Sequence, residues 1–115
     1  MRPVKIEVEK HGEVCVLGFS GEVRIGQATT LLRQVSKDLL ARGERRFVLN
    51  LLDVSWLDSS GIGEVFAVFK RAREVGGAVK LVLRGKSYSL FTITQLDRVF
   101  EIFDDVQAAV ASFDS

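Results

Sequence analysis

The stretch between residues 53 and 63 joins two regular elements and decides how the chain is organised. It reads Asp53-Val54-Ser55-Trp56-Leu57-Asp58-Ser59-Ser60-Gly61-Ile62-Gly63. Residues 46–52 before it are nearly continuous in apolar side chains, which is typical of a central strand covered on both faces. Residues 59–75 place their apolar side chains on one helical stripe, and Gly76 ends that pattern. We therefore predict a strand that leads through this stretch into a helix.

Small polar residues cluster at the predicted start of this helix. Asp58 or Ser59 would accept a hydrogen bond from a free backbone N–H, which stabilises a helix by about 1 kcal/mol, and on chemistry alone capping is the favoured explanation. One cap needs only one such residue, however, and glycines that leave the backbone uncovered come after the cluster. A phosphate on a serine here would meet backbone N–H groups at the positive end of the helix. It would also bring negative charge close to Asp58 and Glu64, and so change a docking surface without unfolding the chain.

The patterns on either side complete the fold prediction. Residues 4–9 and 14–19 form two strands around a His11-Gly12 turn, which indicates an antiparallel hairpin, and residues 27–42 form a helix that Gly43 ends. Beyond the central unit come a strand at 79–83, a helix at 87–94, an extended piece at 99–103 and a last helix to 113, capped by Asp104-Asp105. We predict an α/β fold with a mixed, mostly parallel sheet, begun by the N-terminal antiparallel hairpin, and about four helices. The size predicts a single domain over residues 1–115.

The composition limits the partners and the location. Sixteen basic and 15 acidic residues give a net charge of +1, which argues against nucleic acid as a direct partner. The chain has no apolar run of about 18 residues and no apolar segment behind its basic N-terminus, so we expect no membrane insertion, no secretory signal and a cytoplasmic location. The one cysteine, Cys15, lies in an apolar run and is expected to be buried and inert.

The sequence gives little support for a catalytic site. His11 is the one histidine and Cys15 the one cysteine, so neither a multi-histidine metal site nor a cysteine zinc site can form. The chain contains no G-x-S-x-G elbow and no G-x-x-x-x-G-K-[ST] phosphate loop. A phosphoacceptor domain of the receiver type would use Asp53 and Lys86, but the acidic pair that should come after its first strand is missing. We expect no enzyme and no cofactor.

The order of elements and several short motifs resemble a STAS domain, most closely the free-standing bacterial anti-sigma factor antagonists. The resemblance covers essentially the whole chain. Its most specific part is the Asp-Ser-Ser-Gly segment behind an apolar strand. The motifs that carry it are Gly21-Glu22-Val23, residues 53–63, Gly76-Gly77 and Leu96-Asp97-Arg98-Val99-Phe100.

The resemblance implies a partner-switching mechanism. The unmodified antagonist binds an anti-sigma factor that is also a serine kinase, and this releases a sigma factor for transcription. The kinase, which holds ATP and magnesium in its own site, phosphorylates the second serine of the motif, which here is Ser60. The phosphorylated form no longer binds, and a separate phosphatase resets it. The chain would thus be a substrate and a binding module without catalytic residues.

The resemblance also assigns a set of partner-binding residues around Ser60. Ser59 would be its neighbour and the helix cap, Asp58 would shape the site and repel a phosphate, and the glycines would keep the helix start open to the kinase. Glu64 and the loop after the second strand would flank the docking surface. The full set is Gly21, Glu22, Arg24, Asp58, Ser59, Gly61, Gly63 and Glu64.

Two residues depart from the family pattern. Arg24 stands where an acidic residue is usual, and a cation there would pair with Asp58 or with a phosphate on Ser60, unless it is a solvated surface arginine. Gln95 stands where glycine is usual, at the end of the third helix. A left-handed backbone at that point would cost about 1 kcal/mol relative to glycine.

A second interpretation keeps the fold but removes the switch. The chain would then be a STAS subunit of a transporter, of a lipid-trafficking complex or of a stress-signalling scaffold, and its serines would only cap the helix. A module that binds a small ligand or a nucleotide is a third interpretation, for which the sequence offers no motif. The near-neutral charge and the lack of heptads leave a monomer as the default, and the resemblance adds a weak dimer because STAS domains can pair.

Overall fold

The structure, a computed structural model, describes residues 4–23 and 27–114. The strands are β1 (Lys5–His11), β2 (Val14–Val23), β3 (Arg46–Leu57), β4 (Ala78–Val82) and β5 (Glu101–Phe103). The α-helices of the described ranges are α1 (Gln27–Ala41), α2 (Ser59–Glu74), α3 (Lys86–Ile93) and α4 (Val106–Ala111). Single 3-10 turns cover Leu96–Arg98 and Ser112–Asp114. Most predicted boundaries therefore agree with the structure to within one or two residues.

The strands form one sheet in the order β1-β2-β3-β4-β5. β1 and β2 are antiparallel, whereas β3, β4 and β5 each run parallel to the preceding strand. A parallel neighbour requires a crossover connection, and helices α1, α2 and α3 lie in those connections. The predicted α/β class, with a mostly parallel sheet begun by an antiparallel hairpin, is confirmed.

Helices cover both faces of the sheet. On one face, Leu17, Leu49 and Leu81 of three adjacent strands are fully buried in a core that includes Leu32 of α1 and Val65 of α2. On the opposite face, a smaller core gathers around α4; its buried members are Val14, Val16, Val48, Val82 and Ala109. Alternate residues of β3 belong to the two cores, which explains why residues 46–52 are apolar almost without interruption.

Strands β2 and β3 extend further than the sequence predicts. β2 runs to Val23 instead of residue 19, and β3 runs to Leu57 instead of residue 52. The two extensions pair with each other, with Gly21 opposite Val54 and Val23 opposite Leu57, across two register shifts. Polar residues in both segments suggest loops, but backbone pairing between strands does not depend on side-chain polarity. The extension places the end of β2 beside the strand that leads into α2.

Three smaller features bear on stability and reactivity. Gln95 has φ of 63°, so it adopts the left-handed conformation for which glycine is the favoured residue.

Cys15 is buried as expected, and burial raises the pKa of its thiol. Lys10 of β1 donates to Glu44 beyond α1 at 2.6 Å; this bond raises the pKa of Lys10 and lowers that of Glu44.

Candidate functional site

The start of α2 is fixed by a single side-chain cap. Asp58 has extended backbone angles, and its Oδ1 accepts a hydrogen bond from the Gly61 N–H at 2.9 Å. Its carbonyl oxygen accepts the Ile62 N–H at 3.0 Å, which is the first bond of the helix. Of the two cap residues that the sequence allows, the structure selects Asp58. The expectation that Ser59 caps the helix is wrong, because Ser59 is already the first helical residue.

Ser60 lies at the second position of α2, after the cap residue Asp58 and the first helical residue Ser59. Ser59 is exposed and Ser60 is partly exposed, whereas Ile62, two residues further on, is buried in the core. Among the hydrogen bonds of the described residues, none uses the side chain of Ser59 or Ser60. The helix start therefore carries one exposed and one partly exposed serine, neither of which caps the helix.

The two glycines after the serines differ in their surroundings. Gly63 is exposed, lies within α2 and has nothing within 4 Å of the position that a Cβ would occupy. Neither packing nor a left-handed backbone requires glycine there. Gly61 is buried, and its N–H is the one that Asp58 caps. Of the two, only Gly63 offers exposed backbone to a partner.

Glu64 does not lie on an exposed surface, contrary to the expectation that it flanks the docking surface. Its side chain is 6% exposed. Its Oε1 accepts from Arg33 of α1, at 2.9 Å from Nη2 and 3.2 Å from Nε. Its Oε2 accepts from Nη2 of Arg71 at 2.9 Å. A carboxylate at such a position needs partners that offset its desolvation, and the two guanidinium groups supply them.

Sequence patterns did not identify the partners of Glu64. Arg33 lies 31 positions before it and Arg71 lies seven positions after it, so neither forms a neighbouring helical pair with it. Arg71 also donates to the Oγ of the buried Ser36, on the other helix, at 3.3 Å. Contacts between two helices that are separated along the chain leave no local signature in the sequence.

The end of β2 adjoins the strand that carries the site. Gly21 is buried, has φ of 90° and pairs with Val54, and Glu22 pairs with Trp56 through the backbone. The structure thus brings Gly21 and the backbone of Glu22 beside the segment that leads to Asp58. The side chain of Glu22 and the whole of Arg24 lie outside the described residues.

Two other kinds of site find no support in the described residues. Within residues 4–23 and 27–114, no group of three or more His, Cys, Asp or Glu side chains could hold a metal ion. No helix of those ranges is long and apolar enough to cross a membrane. Asp53, the acceptor in a receiver-type interpretation, lies inside β3 and not at its end.

Comparisons with known proteins bear on the fold and on the family of the chain. The anti-sigma-B factor antagonist of Bacillus subtilis is 28% identical over 100 residues, which cover 86% of this chain and 90% of the relative. The crystal structure of an anti-sigma factor antagonist from Mycobacterium paratuberculosis superimposes with a TM-score of 0.88 at 24% identity, and the match covers 98% of this chain and 96% of the other. The Bacillus cell fate determinant SpoIIAA in its phosphorylated form superimposes with a TM-score of 0.76 at 19% identity, covering 96% and 100% of the two chains.

The comparison with sequence families also covers most of the chain. The sequence model of the STAS domain family matches residues 5–109, which run from the first residue of β1 to Ala109 in α4. The solved structures named above superimpose at identities below 25%, so they support the fold alone. The family match and the fold agree, and the chain belongs to the STAS domain family.

Proposed function

We propose that this chain is an anti-sigma factor antagonist that binds an anti-sigma factor serine kinase and is switched off by phosphorylation of Ser60. The observation that carries the proposal is the combination at the start of α2: Asp58 caps the helix by itself, and Ser60 is left partly exposed. The name of the Bacillus subtilis relative supports an anti-sigma factor as the partner. The phosphorylated form of the Bacillus protein SpoIIAA supports the choice of modification.

The modification is an ordinary phosphoryl transfer for which the kinase supplies the catalytic groups. The Ser60 oxygen attacks the γ-phosphorus of ATP, the bond to the bridging oxygen of the β-phosphate breaks, and ADP leaves. The hydroxyl proton passes to a base of the kinase, and the kinase's own magnesium ion offsets the phosphate charge. A phosphatase reverses the step by hydrolysis, which returns the serine and releases inorganic phosphate. This chain contributes a nucleophile at an accessible helix start and no catalytic group.

The charge of the phosphate explains loss of binding without loss of fold. A phosphoserine carries a charge of about −1.5 to −2 at neutral pH. The start of α2 tolerates it because backbone N–H groups and the helix dipole favour anions there. A partner that docks over Ser60 would meet a charged, hydrated group instead of a small hydroxyl. Burying that group under an interface without a matching cation costs several kcal/mol, as it does for any desolvated charge.

The docking surface of this proposal is the exposed start of α2 together with the adjoining end of β2. Asp58, Ser59, Ser60 and Gly63 contribute from α2, and Gly63 allows a partner backbone to approach closely. The segment of Gly21, Glu22 and Arg24 borders them in the proposal. Gly61 and Glu64 belong to the support beneath the surface, because both are buried.

The proposal also covers the location of the protein, its oligomeric state and its lack of a catalytic role. The antagonist acts beside its kinase in the cytoplasm, as a monomer or weak dimer, and does not bind nucleic acid itself. It has no catalytic activity or cofactor. The prediction of one domain over residues 1–115 stays a prediction.

The proposal is tested with the candidate anti-sigma factor kinases of the source organism. Each is purified and incubated with ATP, magnesium and this protein, and the product is mapped by mass spectrometry. We expect the wild type and Ser59→Ala to accept one phosphoryl group at residue 60, and Ser60→Ala to accept none. The phosphorylated protein should lose binding to the same kinase in calorimetry.

Two outcomes would contradict the proposal. One is a kinase that binds the chain tightly but leaves Ser60 unmodified. The other is a phosphorylated form that binds as well as the unmodified one. Co-purification with a membrane permease, together with either result, would favour the STAS subunit without a switch.

A further inference from the structure

One carboxylate faces two guanidinium groups next to the candidate phosphorylation site. Glu64 accepts from both Arg33 and Arg71, so this arginine cluster (Arg33, Glu64, Arg71) carries one positive charge in excess. A buried carboxylate needs partners, but a single well-placed guanidinium offers two parallel N–H donors to it. The second arginine is thus available to another anion.

Ser60 lies within reach of this cluster. Ser60 and Glu64 are four residues apart in α2, so they share a helix face with Cβ atoms roughly 5–6 Å apart. The Glu64 carboxylate also accepts from Arg71, seven residues further along α2, so it lies near the level of its own Cα, about one turn beyond Ser60. Because Arg33 donates twice to that carboxylate, its guanidinium is held beside the turn of α2 that follows Ser60, a separation that a long, half-exposed arginine side chain can span by changing rotamer.

The two arginines are not equally free to move. The Arg33 side chain is 49% exposed and reaches Glu64 from α1. The Arg71 side chain is 23% exposed and has a second contact, the Oγ of the buried Ser36. If one of the two leaves Glu64, it is Arg33, and Arg71 then still offsets the buried carboxylate.

Resting on the proposed function, we propose that Arg33 is the internal receptor of the Ser60 phosphate. On phosphorylation its guanidinium turns from Glu64 to the phosphate, which attracts it with a larger charge and accepts a bidentate pair. Repulsion between the phosphate and Glu64, four residues apart on one helix face, drives the exchange in the same direction. The phosphate is then bound to α1 as well as to the start of α2.

This exchange adds a structural change to the switch, because Arg33 changes its partner on α2. Arg33 now holds α1 to the phosphate and no longer to Glu64, so the surface beside Ser60 changes shape as well as charge. Arg24, which the sequence suggests as a phosphate partner, lies outside the described residues, whereas the contacts of Arg33 place it beside Glu64, one helical turn beyond Ser60.

The test uses the full chain with phosphoserine encoded genetically at position 60, so that no kinase is needed. Phosphorus NMR follows the ionisation of the phosphate against pH, and nitrogen-proton NMR follows the Arg33 Nε–H. The charged groups near the phosphate on the described elements are Asp58, Glu64 and Arg71 of the α2 segment and Arg33 of α1. All of them are constant between the wild type and the control Arg42→Gln, which alters an exposed arginine just beyond the other end of α1.

We expect the phosphate of the wild type and of Arg42→Gln to ionise at the same pH, and that of Arg33→Gln several tenths of a pH unit higher. The Arg33 Nε–H signal should move as the phosphate ionises. Because Arg33→Gln leaves Glu64 with one partner, the comparison is repeated in a Glu64→Gln background, where Arg33→Gln should again raise the midpoint.

Equal midpoints with and without Arg33 in both backgrounds would overturn the inference, as would an Arg33 signal that ignores the phosphate. Neither result depends on whether a kinase modifies Ser60. Failure of the kinase assay therefore contradicts the proposed function alone, and failure of this titration contradicts the role of Arg33 alone.

Discussion

Helices α2 and α4 begin with the same cap and differ in the residues behind it. Asp58 accepts from the N–H three residues on, that of Gly61, at 2.9 Å. Asp105 accepts from the N–H three residues on, that of Ala108, at 2.7 Å. Both aspartates have extended backbone angles. After the cap, α4 continues with Val106-Gln107-Ala108 and α2 with Ser59-Ser60-Gly61.

The comparison separates what a helix start needs from what this site adds. α4 shows that an aspartate cap suffices with ordinary residues behind it, one of which, Val106, packs against the smaller core. In α2 the serines contribute no further cap, and Gly63 fills no tight space. Capping and close packing therefore do not explain the small residues of α2, which leaves room for the partner contact that we propose.

The largest effect is expected from a negative charge at the second helical position. Ser60→Asp should weaken binding to the kinase by about 100-fold, about 2.8 kcal/mol, because a carboxylate would be desolvated under the partner. Gln107→Asp at the matching position of α4 should leave the affinity unchanged. Both should fold normally, since an anion is favourable in the first helical turn. Calorimetric titration measures the affinities. Equal effects of the two substitutions would show that the start of α2 is no more important for binding than the start of α4.

A smaller effect is expected from removing each cap. Asp58→Ala and Asp105→Ala should each lower the free energy of unfolding by about 1 kcal/mol, because one backbone N–H loses its acceptor. Urea denaturation of the two variants gives the values. If Asp58→Ala costs far less than Asp105→Ala, a serine has taken over the cap, and the capping explanation of the serines regains support.

The smallest effect is expected at Gly63. Gly63→Ala should raise the free energy of unfolding by about 0.5–1 kcal/mol, because alanine loses less backbone entropy in a helix and its Cβ finds open space. The same methyl group should reduce affinity for the kinase. Gly77→Ala is the matched contrast and should destabilise, since its Cβ would lie 2.6 Å from the Arg45 carbonyl oxygen. An affinity unchanged by Gly63→Ala would remove Gly63 from the docking surface.

Local patterns were sufficient for much of the fold and for the position of the site. The alternation in the hairpin, the apolar run at 46–52 and the helical stripes depend on neighbours along the chain, and they predicted the element order correctly. Asp58 was one of two candidate caps because Asp and Ser have similar capping preferences. The structure identifies Asp58 as the cap, because its backbone is extended and its side chain accepts the Gly61 N–H.

The remaining features of the fold and of the site depend on contacts between segments that are distant along the chain. The pairing of the ends of β2 and β3, which places Gly21 beside the strand leading to Ser60, joins segments about 33 residues apart. Glu64 reads as an exposed helix residue until Arg33 of another helix is brought against it. The sequence by itself determined the class of fold, the mostly parallel sheet and the serine pair at a helix start, because these depend on periodicity and composition. Only the tertiary structure decided which polar groups are buried, paired or presented at the surface, since those properties belong to the assembled elements and not to any one of them.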